Sequence, residues 1–286
     1  MMPVLKVRDT SNNLIIDTDY ISYGLIASGN LVYRETWLGK YKRYVNTDPN
    51  VESSWEDFSG YSDDILVFTA NGCIAPVIYV VGQAFLEGVE RSGSTFTWLF
   101  SGSSTGVKIY VFDHMREAGN GPVLLFRTPA GVVTFNSRQA PLNVLGAVIA
   151  PGIPGNAPES NTAKGPLSPY NGGTTSTSGG ETVYHAMSYV DVSTGISEEI
   201  AVNIAFTRAA QVWPGSGVSN YGPRSVSEYA FGVGGNVRFA FRTVAAAYLN
   251  NLTYSGVVYT QFSAVPTILP SASYIRTAQL QFPFQL

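Results

Sequence analysis

The run Thr95-Phe96-Thr97-Trp98-Leu99-Phe100 is followed by Ser101-Gly102-Ser103-Ser104-Thr105-Gly106 and then by Val107-Lys108-Ile109-Tyr110-Val111-Phe112. Side chains alternate between the two faces of a strand, so Phe96, Trp98 and Phe100 share one face of the first run, as Val107, Ile109 and Val111 do in the second. The Ser/Thr/Gly stretch between them predicts a β-hairpin with a flexible loop. The same period of two recurs downstream. Val202, Ile204 and Phe206 alternate with Asn203, Ala205 and Thr207, and Val237, Phe239 and Phe241 with Arg238, Ala240 and Arg242, predicting two half-buried strands. Leu280-Gln281-Phe282-Pro283-Phe284-Gln285-Leu286 also alternates, and Pro283, which has no N–H to donate, places it at an edge or between subunits. No helical period is sustained over ten residues, and Gln83 to Arg91 is the best candidate for a short helix. The fold class that follows is all-β: antiparallel β-sandwich domain(s) with long Gly/Pro-rich loops.

Composition agrees with that reading. The 17 tyrosines and 15 phenylalanines suit pleated surfaces, and the 29 glycines suit many turns. A chain of 286 residues, 45% hydrophobic and 13% charged, can bury a sizeable core and is not disordered as a whole. Its net charge of -3 supplies no electrostatic reason to bind nucleic acid or an anionic membrane. The longest aliphatic stretches, Val77 to Val81 and Val144 to Ala150, fall short of the roughly 20 residues of a membrane span. Met1-Met2-Pro3 leads to Lys6 and Arg8 without a long apolar run, so the expectation is a soluble protein made in the cytoplasm without a secretory signal. After Lys164 there is no lysine, and residues 165–286 carry only Glu181, Asp191, Glu198, Glu199, Glu228, Arg208, Arg224, Arg238, Arg242 and Arg276. A surface so poor in charge implies cover by copies of the chain or by neighbours.

Gly, Pro, Ser, Thr and Asn dominate residues 151–180, which separate an N-terminal β domain, 1–150, from a C-terminal β domain, 181–286. The segment reads as a linker or as an extended arm carrying Tyr170, and protease sensitivity is expected there in the free protein.

Groups that carry chemistry are sparse. Cys73 is alone, which excludes an intrachain disulfide and a multi-cysteine metal site, and it reads as a small buried hydrophobe. The two histidines, His114 in a polar turn and His185 in a strand, stand without a Gly-x-Ser-x-Gly nucleophile element. Asp17 and Asp19 share a strand face that reads as solvated, Asp63 and Asp64 point to opposite faces, and with Glu52, Glu56 and Asp57 they read as an acidic loop. Neither a calcium-loop spacing nor a phosphate cradle is present: Gly215-Ser216-Gly217 and Gly232-Val233-Gly234-Gly235 read as turns. No catalytic, cofactor-binding or metal-binding residue is therefore assigned. A binding surface is the better candidate: the stretch from Gln211 to Arg224 is a Gly/Pro-rich loop bearing Trp213, Tyr221 and Arg224, residues able to stack on a sugar ring or anchor a protein contact.

Two segments echo one another. Leu5-Lys6-Val7-Arg8 precedes Leu14-Ile15-Ile16-Asp17, and Leu124-Leu125-Phe126-Arg127 precedes Val132-Val133-Thr134-Phe135-Asn136, with the same spacing from Arg to the Asp or Asn. Each predicts a strand, a tight turn and a second strand. The stretch Gly131 to Val144, with its Phe135-Asn136-Ser137-Arg138, resembles the Gly, strand, Phe-Asp-Ser-Arg, strand element of small tail-tip proteins of long-tailed bacteriophages, and Val7 to Ile26 is similar to the start of such proteins. Asn136 departs from the Asp of that element. The resemblance covers the N-terminal half in patches and nothing after Gly180. It implies a virion component at the distal tail, arranged around a threefold axis as a homotrimer and bound to other tail proteins, with no chemistry of its own. The alternative expectation is a receptor-binding module whose C-terminal half recognises a host-surface glycan or pilus.

Overall fold

A computed structural model describes residues 6–8, 10, 12, 14–17, 20–42, 55–117, 124–153, 169–170, 172, 187–213, 224–245, 248–250, 261–263 and 265–286. Among them the regular structure is strand alone. The first half contains β1 (Lys6–Arg8), β2 (Leu14–Asp17), β3 (Tyr23–Gly29), β4 (Val32–Lys42), β5 (Trp55–Ala70), β6 (Val77–Val81), β7 (Ala84–Ser92), β8 (Thr95–Gly102) and β9 (Lys108–His114). The second contains β10 (Leu125–Arg127), β11 (Val133–Asn136), β12 (Gly146–Ile149), β13 (Met187–Ser193), β14 (Ile200–Ile204), β15 (Ala209–Trp213), β16 (Arg224–Val233), β17 (Asn236–Thr243), β18 (Tyr248–Asn250), β19 (Gln261–Ser263), β20 (Ser271–Arg276) and β21 (Phe284–Gln285). No helix among the described residues is long and apolar enough to cross a membrane.

The first sandwich sets β3-β9-β6 against β5-β8-β7, to which β4 and β18 add at the far edge. Between the layers lie Ile26, Phe68, Val80, Phe85, Trp98, Phe100, Ile109 and Val111. The second sets β12-β20-β14 against β13-β17-β16, around Tyr170, Ile200, Val202, Val226, Phe239 and Phe241. Each fully buried Phe of these cores stabilises the fold by about 1.5–3 kcal/mol. The halves are not separate sheets. β6 pairs antiparallel with β14 at Val80 and Val202 and parallel with β16 at Val81 and Gly232, so one twelve-stranded mixed sheet runs through both.

The two halves repeat one topology. β1–β2 and β10–β11 are hairpins of the same register, pairing Val7 with Ile16 and Phe126 with Phe135, and both slip by one residue before the next pair, Arg8–Leu14 and Arg127–Val133. Arg8 Nη1 donates to the Asn12 carbonyl at 2.8 Å, and Arg127 Nη1 to the Gly131 carbonyl at 2.9 Å. Asn12 and Gly131 both have positive φ, 67° and 81°, the conformation that turns the chain under the arginine. After each hairpin comes a strand, β3 or β12, paired with the last long strand of its sandwich, β9 or β20, which in turn pairs with β6 or β14. The opposite layer repeats as β5-β8-β7 and β13-β17-β16, with two-residue turns at Gly93 and Gly234, both at φ 58°.

Three sequence expectations need correction. β8 and β9 do not form a hairpin: β8 pairs with β5 and β7, and β9 with β3 and β6, so residues 103–107 carry the chain from one layer to the other. Alternation marks which side chains face the core, and both strands face the same core from opposite sides. Gln83 to Arg91 is not a helix but falls within the β6–β7 turn and β7, where Phe85 is wholly buried and the ladder to β8 satisfies the backbone. Nine residues with Gly88 near the middle make a poor isolated helix, and the ladder prevails. β17 is not half-buried, because β16 and β17 lie between the two sandwiches: Val237, Phe239 and Phe241 face the second core and Ala240 the first.

The C-terminal alternating segment pairs as expected at an edge, β21 against β3 alone. Cys73 is buried as expected. Of residues 151–180, only 151–153, 169–170 and 172 are described; the rest of the expected linker lies outside the described residues, as do His185, Glu52 and Asp19.

Candidate functional site

Trp213 and Arg224 come to one end of the β15–β16 pair: Arg224 lies opposite Val212, and Trp213 opposite Gln261 of β19. The two backbones therefore meet where the chain leaves and re-enters the sheet. Tyr221 lies outside the described residues. Of the other tryptophans, Trp98 is a core residue and Trp37 packs partly buried against Ile65, Leu99 and Ala245.

The acidic group is a strand, not a loop. Asp57, Asp63 and Asp64 all lie on β5. Asp64 is exposed and accepts from Thr36, whereas Asp63 is buried and accepts from Arg242 Nη2 at 2.6 Å. Asp17, expected to be solvated, is buried and paired with Lys6 at 2.7 Å. His114 ends β9, with its ring edge-on to Tyr23 at 5.2 Å.

Two buried polar networks were not legible in the sequence. In the second sandwich, Arg208 donates from Nε to Glu228 Oε2 at 2.6 Å and from Nη2 to Oε1 at 2.8 Å, while the Tyr170 hydroxyl donates to Oε1 at 2.6 Å. Arg208 and Glu228 are wholly buried, and the guanidinium also stands over the Phe241 ring. Burial first, then the Glu228 charge, pushes the Tyr170 phenol well above its ordinary range.

The second network joins the two layers across the halves. Arg242 Nη1 donates to Ser101 Oγ at 2.5 Å, and Ser101 donates to Glu87 Oε1 at 2.5 Å. Tyr229 OH lies 3.4 Å from both Glu87 oxygens, and Arg242 stands over the Phe85 ring. Burial pushes the Glu87 carboxyl up, against the lowering pull of Ser101, the Ala245 backbone and Arg242. Ser101 beside a carboxylate is the form of an activated nucleophile, but it is wholly buried and Arg242 occupies its acceptor side, so no substrate atom reaches it. Both networks hold strands together.

A surface cavity of about 340 Å³ opens where β20 ends, lined by Pro141, Leu145, Ile275, Ala278, Gln279 and Leu280 among others. Arg276 and Glu198, also in its lining, pair at 2.9 Å. Close by, Lys108 donates to Glu199 at 2.9 Å and Thr277 donates to the same carboxylate at 2.5 Å. Burial alone would raise the Glu199 carboxyl, but these two donors and the lysine charge together hold it below the ordinary carboxylate range. Among the described residues no three His, Cys, Asp or Glu side chains converge as metal ligands.

Compared with known protein families, curated proteins and solved structures, the chain matches none.

Proposed function

We propose that this protein is a non-enzymatic structural component of a bacteriophage tail tip, resident in the virion, that assembles with itself as a trimer and with neighbouring tail proteins. The observation that carries the reading is where the scarce charge of the second half goes. Arg208, Glu228 and Arg242 are buried in strand-to-strand networks, and Arg238 is paired with Asp191. This leaves an apolar rim beside the edge strand β12, where Ile149 is 63% and Ile268 72% exposed and Phe206 and Leu269 add to it. An uncharged edge with exposed large side chains is a surface that an assembly covers. The resemblance of Gly131 to Val144 to the tail-tip element supports the same reading: this stretch forms β11 and the connection from hairpin to sandwich.

Light scattering on the purified protein tests it. Three copies of the 30.7 kDa chain, about 92 kDa, are expected. A monomer that also fails to bind isolated tails overturns the reading.

A second reading is a receptor-binding module for a host-surface glycan or pilus. It is favoured by the meeting of Trp213 and Arg224 at one end of β15–β16. Trp213→Ala with Tyr221→Ala separates the two: lost cell binding with intact assembly supports recognition, and lost assembly supports architecture.

A further inference from the structure

The repeated topology leaves one position filled in the first half and open in the second. In the first sandwich, the hairpin β10–β11 sits where β3 begins and β9 ends. Ser22, just before β3, donates its N–H to the Thr134 carbonyl, and Met115, just after β9, donates its N–H to the Ser22 carbonyl. Asn136 donates from Nδ2 to the Arg116 carbonyl at 2.7 Å, and Arg116 N–H donates to Gln139 Oε1 at 2.7 Å. Met115, Val133 and Phe135 form a small core of their own, with Leu125 and Phe126 against it.

The same topology locates this position in the second sandwich, where β12 begins and β20 ends. Leu145, just before β12, and Ala278 and Gln279, after β20, line the cavity there. The groove that a hairpin fills in the first sandwich is thus an open cavity in the second.

We infer that this cavity receives the hairpin β1–β2 of a second copy of the chain, making a head-to-tail contact. Among the described residues, β1–β2 is the other element built like β10–β11: same register, same one-residue slip, same arginine-to-carbonyl closure and same positive-φ position. Val7 occupies the place of Phe126, the ring that packs against the Met115 core. None of the described hairpin residues lines the cavity of its own chain. A contact between two different surfaces closes into a ring when its rotation allows, which is how three copies join around a threefold axis. The inference deepens the assembly reading and rests on it.

Two substitutions break the contact from opposite sides. Val7→Asp places a charge on the hairpin, and Ala278→Trp fills the cavity from an exposed position; circular dichroism and thermal melting check that each variant is folded. Light scattering is expected to show the wild type assembled, each variant alone monomeric, and an equimolar mixture of the two forming a one-to-one pair, because the mixture restores one intact hairpin and one intact cavity. An assembled wild type that neither substitution disturbs overturns the docking and leaves the assembly reading standing. Two monomeric variants that do not pair on mixing also overturn it. A monomeric wild type overturns the docking and the self-assembly reading together.

Discussion

Arg208 and Glu228 form an ion pair with no exposed surface, tied by Tyr170 to the segment ahead of β13. A buried pair adds little net stability over an apolar one, but removing one partner strands the other charge in the core. Arg208→Met is therefore expected to cost about 3–5 kcal/mol in urea unfolding, and adding Glu228→Leu to recover much of that loss. A negligible effect of the single change would show the carboxylate to be solvated. Glu87 behaves differently because its folded pKa is raised by burial. Such a group favours folding below the ordinary carboxylate pKa, and that contribution is lost as pH rises through the folded value. Glu87→Gln keeps a partner for Ser101 and carries no charge, so it is expected to match the wild type in acid and to be the more stable at neutral pH. Melting temperatures across pH 4 to 8 give the sign, and a variant less stable at neutral pH sinks the argument.

At the scale of elements, β16 is the strand on which the fold turns. It pairs with β15 and β17 along most of its length and touches β6 at Gly232. A Cβ added at Gly232 would lie 1.9 Å from the Ile200 carbonyl oxygen, so a main-chain atom of β14 would have to move. Gly232→Ala is expected to destabilise the protein by at least about 2 kcal/mol, read from the denaturant midpoint; an unchanged midpoint would mean that the β6, β14 and β16 junction is looser than this. The hairpins show the opposite balance. The closure from Arg to the carbonyl four residues on is local, so Arg8 to Asp17 and Arg127 to Asn136 carry their shape in their own spacing. Nothing in that spacing says where a hairpin docks. Met115, a β9 neighbour with no role in the sequence echo, decides this for β10–β11.

For the whole molecule, one sheet through both halves has a thermodynamic consequence. β6 and β14 belong to different sandwiches yet share a ladder, and the Asp63–Arg242 contact joins residues 179 positions apart. Unfolding is expected to follow one transition, with tryptophan fluorescence, to which the buried Trp98 contributes, coinciding with circular dichroism. Two separated transitions would show that the sandwiches are independent. Alkaline titration reports the same cooperativity. Burial, with Glu199 adding to it, pushes Tyr110 up to about 12, and burial beside Glu228 and Glu87 pushes Tyr170 and Tyr229 upward. These phenols favour folding below the ordinary phenol pKa of about 10, and that contribution disappears as pH rises through the folded values. Three of the 17 tyrosines are expected to ionise only as the fold is lost, in step with circular dichroism. Ionisation of all of them before any loss of signal would contradict their burial.

By itself the sequence determined the all-β class, several of the strands and the echo of two hairpins, because a period of two and a local closure are written in adjacent residues. It placed Val237, Phe239 and Phe241 correctly on one face. Only the tertiary structure decided which strands are neighbours. Alternation specifies a face and leaves the partner open, so Phe100 and Ile109, which flank the loop in the reading of a hairpin, belong to opposite layers. The networks around Glu228 and Glu87 were hidden for the same reason. Their members come from strands far apart in the chain, and a charge reads as exposed until a distant partner is packed against it.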